Sequence, residues 1–222
     1  NPRLPSLPNA QDVGPHGLYF HVAFHDLQAS NHLTMTPSPD LVRRELAEAF
    51  RTSADEYLIV NTGIIRPHLY LLDLISQMWL QGDTDVDDHR LDFATRLFPG
   101  SYTTVEKCYQ RYFDAPFQSG PHDDEKVGDE FYHHSIRPLI TAWIRGRDHE
   151  TCPDLTWATG QIAFKEQIEW CRQKCAEGLQ RWGTLLEEYA ATLGQLAGRE
   201  RQFFQDNLIT GAMLHYSGCK GV

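Results

Sequence analysis

A short alternating segment near the start of the chain constrains the fold more than any other feature. The residues from Gly17 to Asp26 alternate in character, and successive side chains of a strand point to opposite faces. A helical segment from Leu41 to Arg51 separates this predicted strand from a second one, Tyr57 to Val60. Strand–helix–strand units build parallel sheets. One face of the first strand is apolar, and the other carries Tyr19, His21, Ala23 and His25.

The second predicted strand consists only of apolar residues, which is typical of a parallel strand covered on both faces. The sequence that follows this strand is almost entirely helical in pattern. The fold class is therefore α/β, with about two parallel strands followed by a mainly helical bundle, and we expect domains at 1–82 and 83–222. Two strands leave sheet edges unprotected, so we expect either strands that the pattern does not reveal or a sheet whose other strands lie elsewhere. The helical segments are predicted at 68–79, 86–98, 101–113, 127–144, 157–193 and 199–216.

Composition excludes several classes of function. The net charge of −10 argues against nucleic acid as a partner, because that interaction relies on clustered Lys and Arg. No apolar run reaches the roughly 18 residues that a membrane span requires, so no membrane partner is expected. Five cysteines do not form a disulfide pattern, and Cys171 and Cys175 are interpreted as buried thiols on one helical face. No cofactor motif occurs, and neither a cofactor nor a metal is predicted.

Two polar clusters follow the predicted strands and would adjoin at one edge of a parallel sheet. His21 and His25 lie four residues apart, which on a strand is roughly 13 Å and too far for one metal ion. We therefore interpret both histidines as binding a polar ligand, with local hydrogen bonding as the alternative. The second cluster, Asn61, Thr62 and Arg66, could bind sugar hydroxyls and a carboxylate. Its alternative is a plain turn at 61–63 with a solvated Arg66.

These residues carry a resemblance to glycoside hydrolase family 115, the xylan α-1,2-glucuronidases. Tyr19-Phe20-His21 resembles the family's aromatic-aromatic-His strand, and the segment from Ile59 to Pro67 resembles its Asn-x-Gly strand. Arg3-Leu4-Pro5 and the helix at 203–216 are also similar to family segments. The resemblance implies the C-terminal part of a (β/α)8 barrel followed by a helical domain. It also implies a carbohydrate substrate, with a homo-oligomer or the remainder of a longer chain as protein partner.

The chain departs from the family pattern where the chemistry would be expected. Ile64 stands in place of the family's Asp after Asn-x-Gly, and Ala23 replaces another Asp. No catalytic acid or base carries over, and Asp26 is the only nearby candidate, since glycoside hydrolysis usually needs two carboxyl groups. The resemblance implies a glycoside hydrolase acting on a polysaccharide side chain, with a uronic acid as a candidate sugar. A secreted, periplasmic or cytoplasmic location is equally compatible with the sequence.

Two other functions remain open at this level. The loss of the motif Asp at Ile64 favours a non-catalytic carbohydrate-binding relative. A stripe of apolar and small residues at helical spacing, from Phe164 to Leu193, favours a helical scaffold or interaction protein instead. The enzyme hypothesis places sugar binding on His21, Asn61 and Arg66. The scaffold hypothesis expects those side chains to be dispensable.

Overall fold

The fold combines a small parallel sheet with a predominantly helical body. The computed structural model describes residues 14–23, 25–26, 30–31, 33–118, 126–128 and 131–222, with the backbone alone at 25–26 and 30–31. Arg3-Leu4-Pro5 lies outside the described residues. The strands are β1 (Leu18–His21), β2 (His25–Asp26), β3 (Ser30–Asn31) and β4 (Leu58–Asn61). The helices are α1 (Pro39–Arg51), α2 (Leu69–Gln81), α3 (Val86–Leu97), α4 (Tyr102–Asp114), α5 (Phe131–His134), α6 (Ile136–Ile144), α7 (Thr156–Thr159), α8 (Phe164–Leu193), α9 (Gly198–Phe204) and α10 (Thr210–Gly221).

The predicted parallel pair of strands is confirmed. β1 and β4 run side by side, in a register that sets Leu18 opposite Leu58 and His21 opposite Asn61. β1 is shorter than the sequence predicted and ends at His21. The backbone amides of Val22 and Ala23 both donate to the carbonyl of Asn61, at 2.9 and 3.3 Å, so the regular ladder stops there. β2 lies within the end of the predicted first strand and pairs in antiparallel fashion with β3, a strand that the sequence interpretation missed.

Helix α1 forms as its sequence indicates. Ser38 is the N-cap and its Oγ accepts from the backbone N–H of Leu41 at 3.2 Å, while Pro39 occupies the first turn. The buried side of the helix, which includes Val42 and Leu46, packs with α2 and with the apolar face of the sheet.

The prediction that the second strand is covered on both faces is wrong. Phe20 of β1 is 1% exposed, whereas Ile59 of β4 is 54% exposed and Tyr19 is 55% exposed. Within the described part of the chain, the helices therefore shield the Leu18–Phe20 side of the sheet and leave the Tyr19–Ile59 side open. The sequence of a strand shows which of its residues are apolar, but it does not show whether other elements cover them.

The remaining helices follow the sequence prediction except at their joins. α2, α3 and α4 match their predicted segments to within a few residues. The segment predicted as one helix from 127 to 144 is interrupted at Ser135, and the one predicted from 157 begins only at Phe164. Gly160, with φ of 69°, ends α7 and forces that break. α8 is then continuous for 30 residues, about 45 Å, through both of its glycines.

The final predicted helix contains a π-helical segment. α9 and α10 are joined without interruption by Gln205–Ile209, in which the backbone is wound as a π-helix. The buried residues Phe204, Leu208 and Ala212 remain on the inner side across this segment, as predicted. α10 packs along α8, where the ring of His215 stacks on Trp182 with centroids 4.4 Å apart.

One continuous hydrophobic cluster extends from β1 to α10. It includes residues on both sides of position 82, and the domain division proposed there stays a prediction. All five cysteines are free and buried, so the interpretation of Cys171 and Cys175 as buried thiols is confirmed. None of the helices in the described residues is both long enough and apolar enough to span a membrane.

Candidate functional site

The amide of Asn61 organises a polar group on the open face of the sheet. Because His21 and Asn61 are paired in register, their side chains lie together on that face. Nδ2 of Asn61 donates to Oη of Tyr19 at 3.2 Å and lies 3.3 Å from Nδ1 of His21. The rings of Tyr19 and His21 meet edge to face, with centroids 4.4 Å apart. The structure thus brings together two of the predicted site residues and adds Tyr19 to them.

The turn after β4 fixes which way the Asn61 amide points. The backbone N–H of Gly63 donates to Oδ1 of Asn61 at 3.1 Å, and Gly63 has φ of 59°, a conformation that favours glycine. Since Oδ1 faces this N–H, Nδ2 faces His21, and Nδ1 of His21 must accept. The neutral imidazole then carries its proton on Nε2, which becomes a donor. The predicted turn at 61–63 and the predicted polar cluster are therefore both formed around the side chain of Asn61.

The protonation state of His21 agrees with this hydrogen bonding. Desolvation lowers the pKa of His21 below its ordinary value of 6.5, because burial disfavours the charged form. The neutral ring is the form that can accept from Asn61. His21 thus presents a neutral N–H donor at neutral pH and does not present a cation.

Exposed aromatic rings extend the same face. Tyr57, 56% exposed, lies on the side of Ile59 and Asn61, because these positions alternate along one strand. A Cβ atom at Gly17 would come within 2.3 Å of the Tyr57 ring, so only glycine lets this ring lie across the start of β1. The sequence interpretation missed Tyr57 as part of the face, although the period of two contained the signal.

Arg66 has a protein partner. Its Nη1 lies 3.4 Å from Oδ2 of Asp206, in the π-helical segment, and the Arg66 side chain is largely exposed. This arrangement matches the alternative interpretation, a surface arginine after a turn, except that Arg66 also forms an ion pair. Nothing in the sequence signals the pairing, since the two residues are 140 positions apart.

His25 and Asp26 are placed only by their backbones, in β2 directly after the end of β1. Their side chains lie outside the described part of the structure, and their predicted roles in binding and catalysis stay predictions. Among the described residues, no group of three or more His, Cys, Asp or Glu side chains is arranged to hold a metal ion.

The fold and the polar group define an α/β protein with a site at the C-terminal ends of two parallel strands. Residues 1–121 match the sequence profile of glycosyl hydrolase family 115, and the chain belongs to this family. The match extends through α4 and covers β1, β4 and the polar group. It supports a glycoside hydrolase-like function. A comparison with curated proteins gave no match.

Proposed function

We propose that this chain binds a sugar of a polysaccharide side chain on the open face of its sheet, as part of a glycoside hydrolase. The observation that carries the proposal is the Tyr19–His21–Asn61 hydrogen-bonded group, which stands on an exposed face in a member of a glycosidase family. Sugar sites combine a few fixed polar groups with aromatic surface. The open face provides both, because Tyr19 and Tyr57 flank the polar group.

Each residue has a distinct role in this proposal. The Asn61 amide is already engaged at Oδ1 and Nδ2, so it acts as a positioning residue that holds His21 and Tyr19. The imidazole of His21 and the hydroxyl of Tyr19 contact the sugar in this proposal. Arg66 would bind the carboxylate of a uronic acid in exchange for Asp206, which costs little because exposed ion pairs are weak.

The arrangement of the sheet supports the barrel expectation. In a (β/α)8 barrel the strands show one face to the helices and the other to the interior, and the active site lies at their C-terminal ends. α1 and α2 cover one face of the β1–β4 pair, and His21 and Asn61 are the last residues of their strands. We propose that further strands, from the remainder of a longer chain, continue this sheet.

The catalytic step requires carboxyl groups that flank the glycosidic bond. We propose Asp26 as one of them, acting as acid or base, because β2 follows β1 directly at the C-terminal end of the sheet. His25 would bind the substrate beside it. The isoleucine at position 64, where the family pattern has Asp, favours a second candidate function, a carbohydrate-binding relative without turnover.

The test combines turnover and binding on the natively expressed protein. Aryl glycosides and acidic oligosaccharides are assayed for release, and calorimetry measures their binding. We expect His21→Ala to weaken binding by about tenfold, the effect of losing one good hydrogen bond in a site. His134→Ala, at an exposed histidine of α5, is the matched control. Asp26→Asn should abolish turnover and retain binding.

The outcomes separate the candidates. Binding without turnover in the wild-type protein would establish the non-catalytic relative. If neither binding nor release exceeds the buffer value, or if His134→Ala weakens binding as much as His21→Ala, the sugar site on this face is excluded.

A further inference from the structure

A second concave site lies in the helical body and shares no residue with the sheet face. α6, its C-terminal turn and the loop that follows enclose a cavity of about 390 Å³. Three arginines line it, and we refer to it as the arginine cavity. Its polar lining residues are Arg137, Thr141, Arg145, Arg147, Glu150 and Asp154.

The arginines of this cavity differ from nearly all others in the described chain. All but four of the arginines that the structure describes have a carboxylate or a carbonyl as side-chain acceptor. The four without one, within the described residues, include Arg199 and the three arginines of the cavity. A protein with a net charge of −10 has carboxylates in excess. All three guanidinium groups belong to exposed residues, so water solvates them and a ligand can reach them on one concave surface.

Helix electrostatics accounts for one of the three arginines at most. Arg145 directly follows the last residue of α6, where a positive charge complements the negative end of the helix dipole. Arg137 lies in the first turn of α6, and α5 leads into this turn through Ser135, whose backbone angles are α-helical. The cavity thus presents three guanidinium groups that have no carboxylate partner among the described residues.

The walls of the cavity are fixed by contacts behind them. Gly146, with φ of 65°, turns the chain after α6, and the N–H of Arg147 returns to the carbonyl of Ala142 at 2.9 Å. On the opposite wall, the fully buried Gln167 side chain accepts from the N–H of Cys152 at 2.8 Å and donates to its carbonyl at 3.1 Å. This double hydrogen bond holds the loop that carries Glu150 and Asp154.

We propose that the arginine cavity binds a small molecule that carries an oxyanion, either phosphate or carboxylate, together with hydroxyl groups. Guanidinium groups bind both oxyanions through paired N–H donors. The carboxylates of Glu150 and Asp154 accept hydrogen bonds from the hydroxyl groups of the ligand. The proposal is independent of the sugar site on the sheet.

Calorimetry on the whole chain, at constant ionic strength set with sodium chloride, tests this site. The probes are inorganic phosphate and gluconate, with the neutral polyol sorbitol as reference. We expect saturable binding of at least one oxyanion probe below about 10 mM, and none of sorbitol. The double variant Arg145→Gln/Arg147→Gln should weaken that binding at least tenfold. Arg199→Gln, at the unpaired arginine outside the cavity, should change it less than twofold.

Tighter binding of phosphate than of gluconate, or the reverse, identifies the oxyanion that the arginine cavity prefers. Absence of saturable binding for both overturns the site, and so does an equal loss in the Arg199→Gln variant, which would indicate general charge attraction. If circular dichroism finds the double variant unfolded, the single variant Arg137→Gln replaces it and must weaken binding for the proposal to stand.

Discussion

The two faces of the β1–β4 sheet carry similar numbers of large side chains but have opposite surroundings. On one face Leu18 and Phe20 pack against helices and join the main hydrophobic cluster. On the other, Tyr19 and Ile59 remain exposed beside the hydrogen-bonded pair of His21 and Asn61. The difference teaches that apolar character in a strand has two uses. The packed face stabilises the fold, and the open face is the part of the sheet left to recognise something else.

The sharpest test of this contrast removes one aromatic ring from each face. Phe20→Ala should lower the free energy of unfolding by about 3–5 kcal/mol, because it leaves a cavity in a packed core. Tyr19→Ala should lower it by less than about 1 kcal/mol, because the ring is exposed. Urea unfolding of both variants measures the difference. Equal losses would mean that the open face is covered in solution.

The Asn61→Asp variant tests the electrostatics of the open face. A carboxylate beside Nδ1 should raise the pKa of His21 by about 1 unit or more, since an opposite charge favours the imidazolium. A titration followed by NMR measures this shift. Asn61→Ala is the control and should raise the pKa by less, because it removes the donor to the neutral ring without adding a charge. A His21 pKa in the Asp variant no higher than in Asn61→Ala would refute the placement of the amide.

The lowered pKa of His21 also predicts how stability depends on pH. Between the folded-state pKa and 6.5 the unfolded chain binds more protons than the folded chain, so stability should rise with pH across that interval. The His21→Gln variant should lose this part of the slope. In Asn61→Asp, where the folded-state pKa should be higher than in the wild-type protein, the rise in stability contributed by His21 should be smaller. Thermal unfolding from pH 5 to 8 compares the three proteins, and identical slopes would contradict the assignment.

Gly17→Ala should disturb the open face and spare the packed one. The new Cβ would displace the exposed Tyr57 ring, which can move into solvent, so we expect a stability loss under about 1 kcal/mol. In a Tyr57→Ala background the same substitution should cost almost nothing. A double-mutant cycle on unfolding free energies checks the coupling. An equal loss of unfolding free energy in both backgrounds would mean that the Tyr57 ring is not what the new Cβ atom displaces.

The smallest effect is expected at the ion pair beside the sheet. Asp206→Asn removes the partner of Arg66 and should change stability by no more than about 0.5 kcal/mol, because both groups are partly solvated. Under the proposed function, the freed arginine should bind an acidic sugar at least as tightly as before. Calorimetry with an acidic and a neutral oligosaccharide separates this gain from a general change.

The sequence interpretation succeeded where the signal was local. Alternation and the strand–helix–strand order were sufficient to predict a parallel pair and to place His21 near Asn61. The Ser38 cap and the spacing within α8 were likewise readable, because they depend on neighbours along the chain. The hydropathy pattern failed at Ile168, which is 45% exposed, and at Gln167, which is buried. Gln167 is buried because its amide satisfies the backbone of Cys152, a partner that no periodicity reveals.

Other features depended on contacts that the sequence does not encode nearby. The pairing of Arg66 with Asp206 joins residues 140 positions apart. The exposure of one face of β4 depends on the elements that surround the strand. A run of apolar residues has the same sequence whether that face is covered or not. The arginine cavity escaped notice because its members are spread over a helix, its terminal turn and a loop.

Because Gln205–Ile209 is wound as a π-helix, the number of residues in this segment determines the orientation of every side chain that follows it. A π-turn holds one residue more than an α-turn would need. Deleting one residue there would leave an ordinary helix, yet every later side chain would rotate by about 100° about the axis. His215 would leave its stack on Trp182. A shorter and locally better helix would thus lose the packing of α10 along α8.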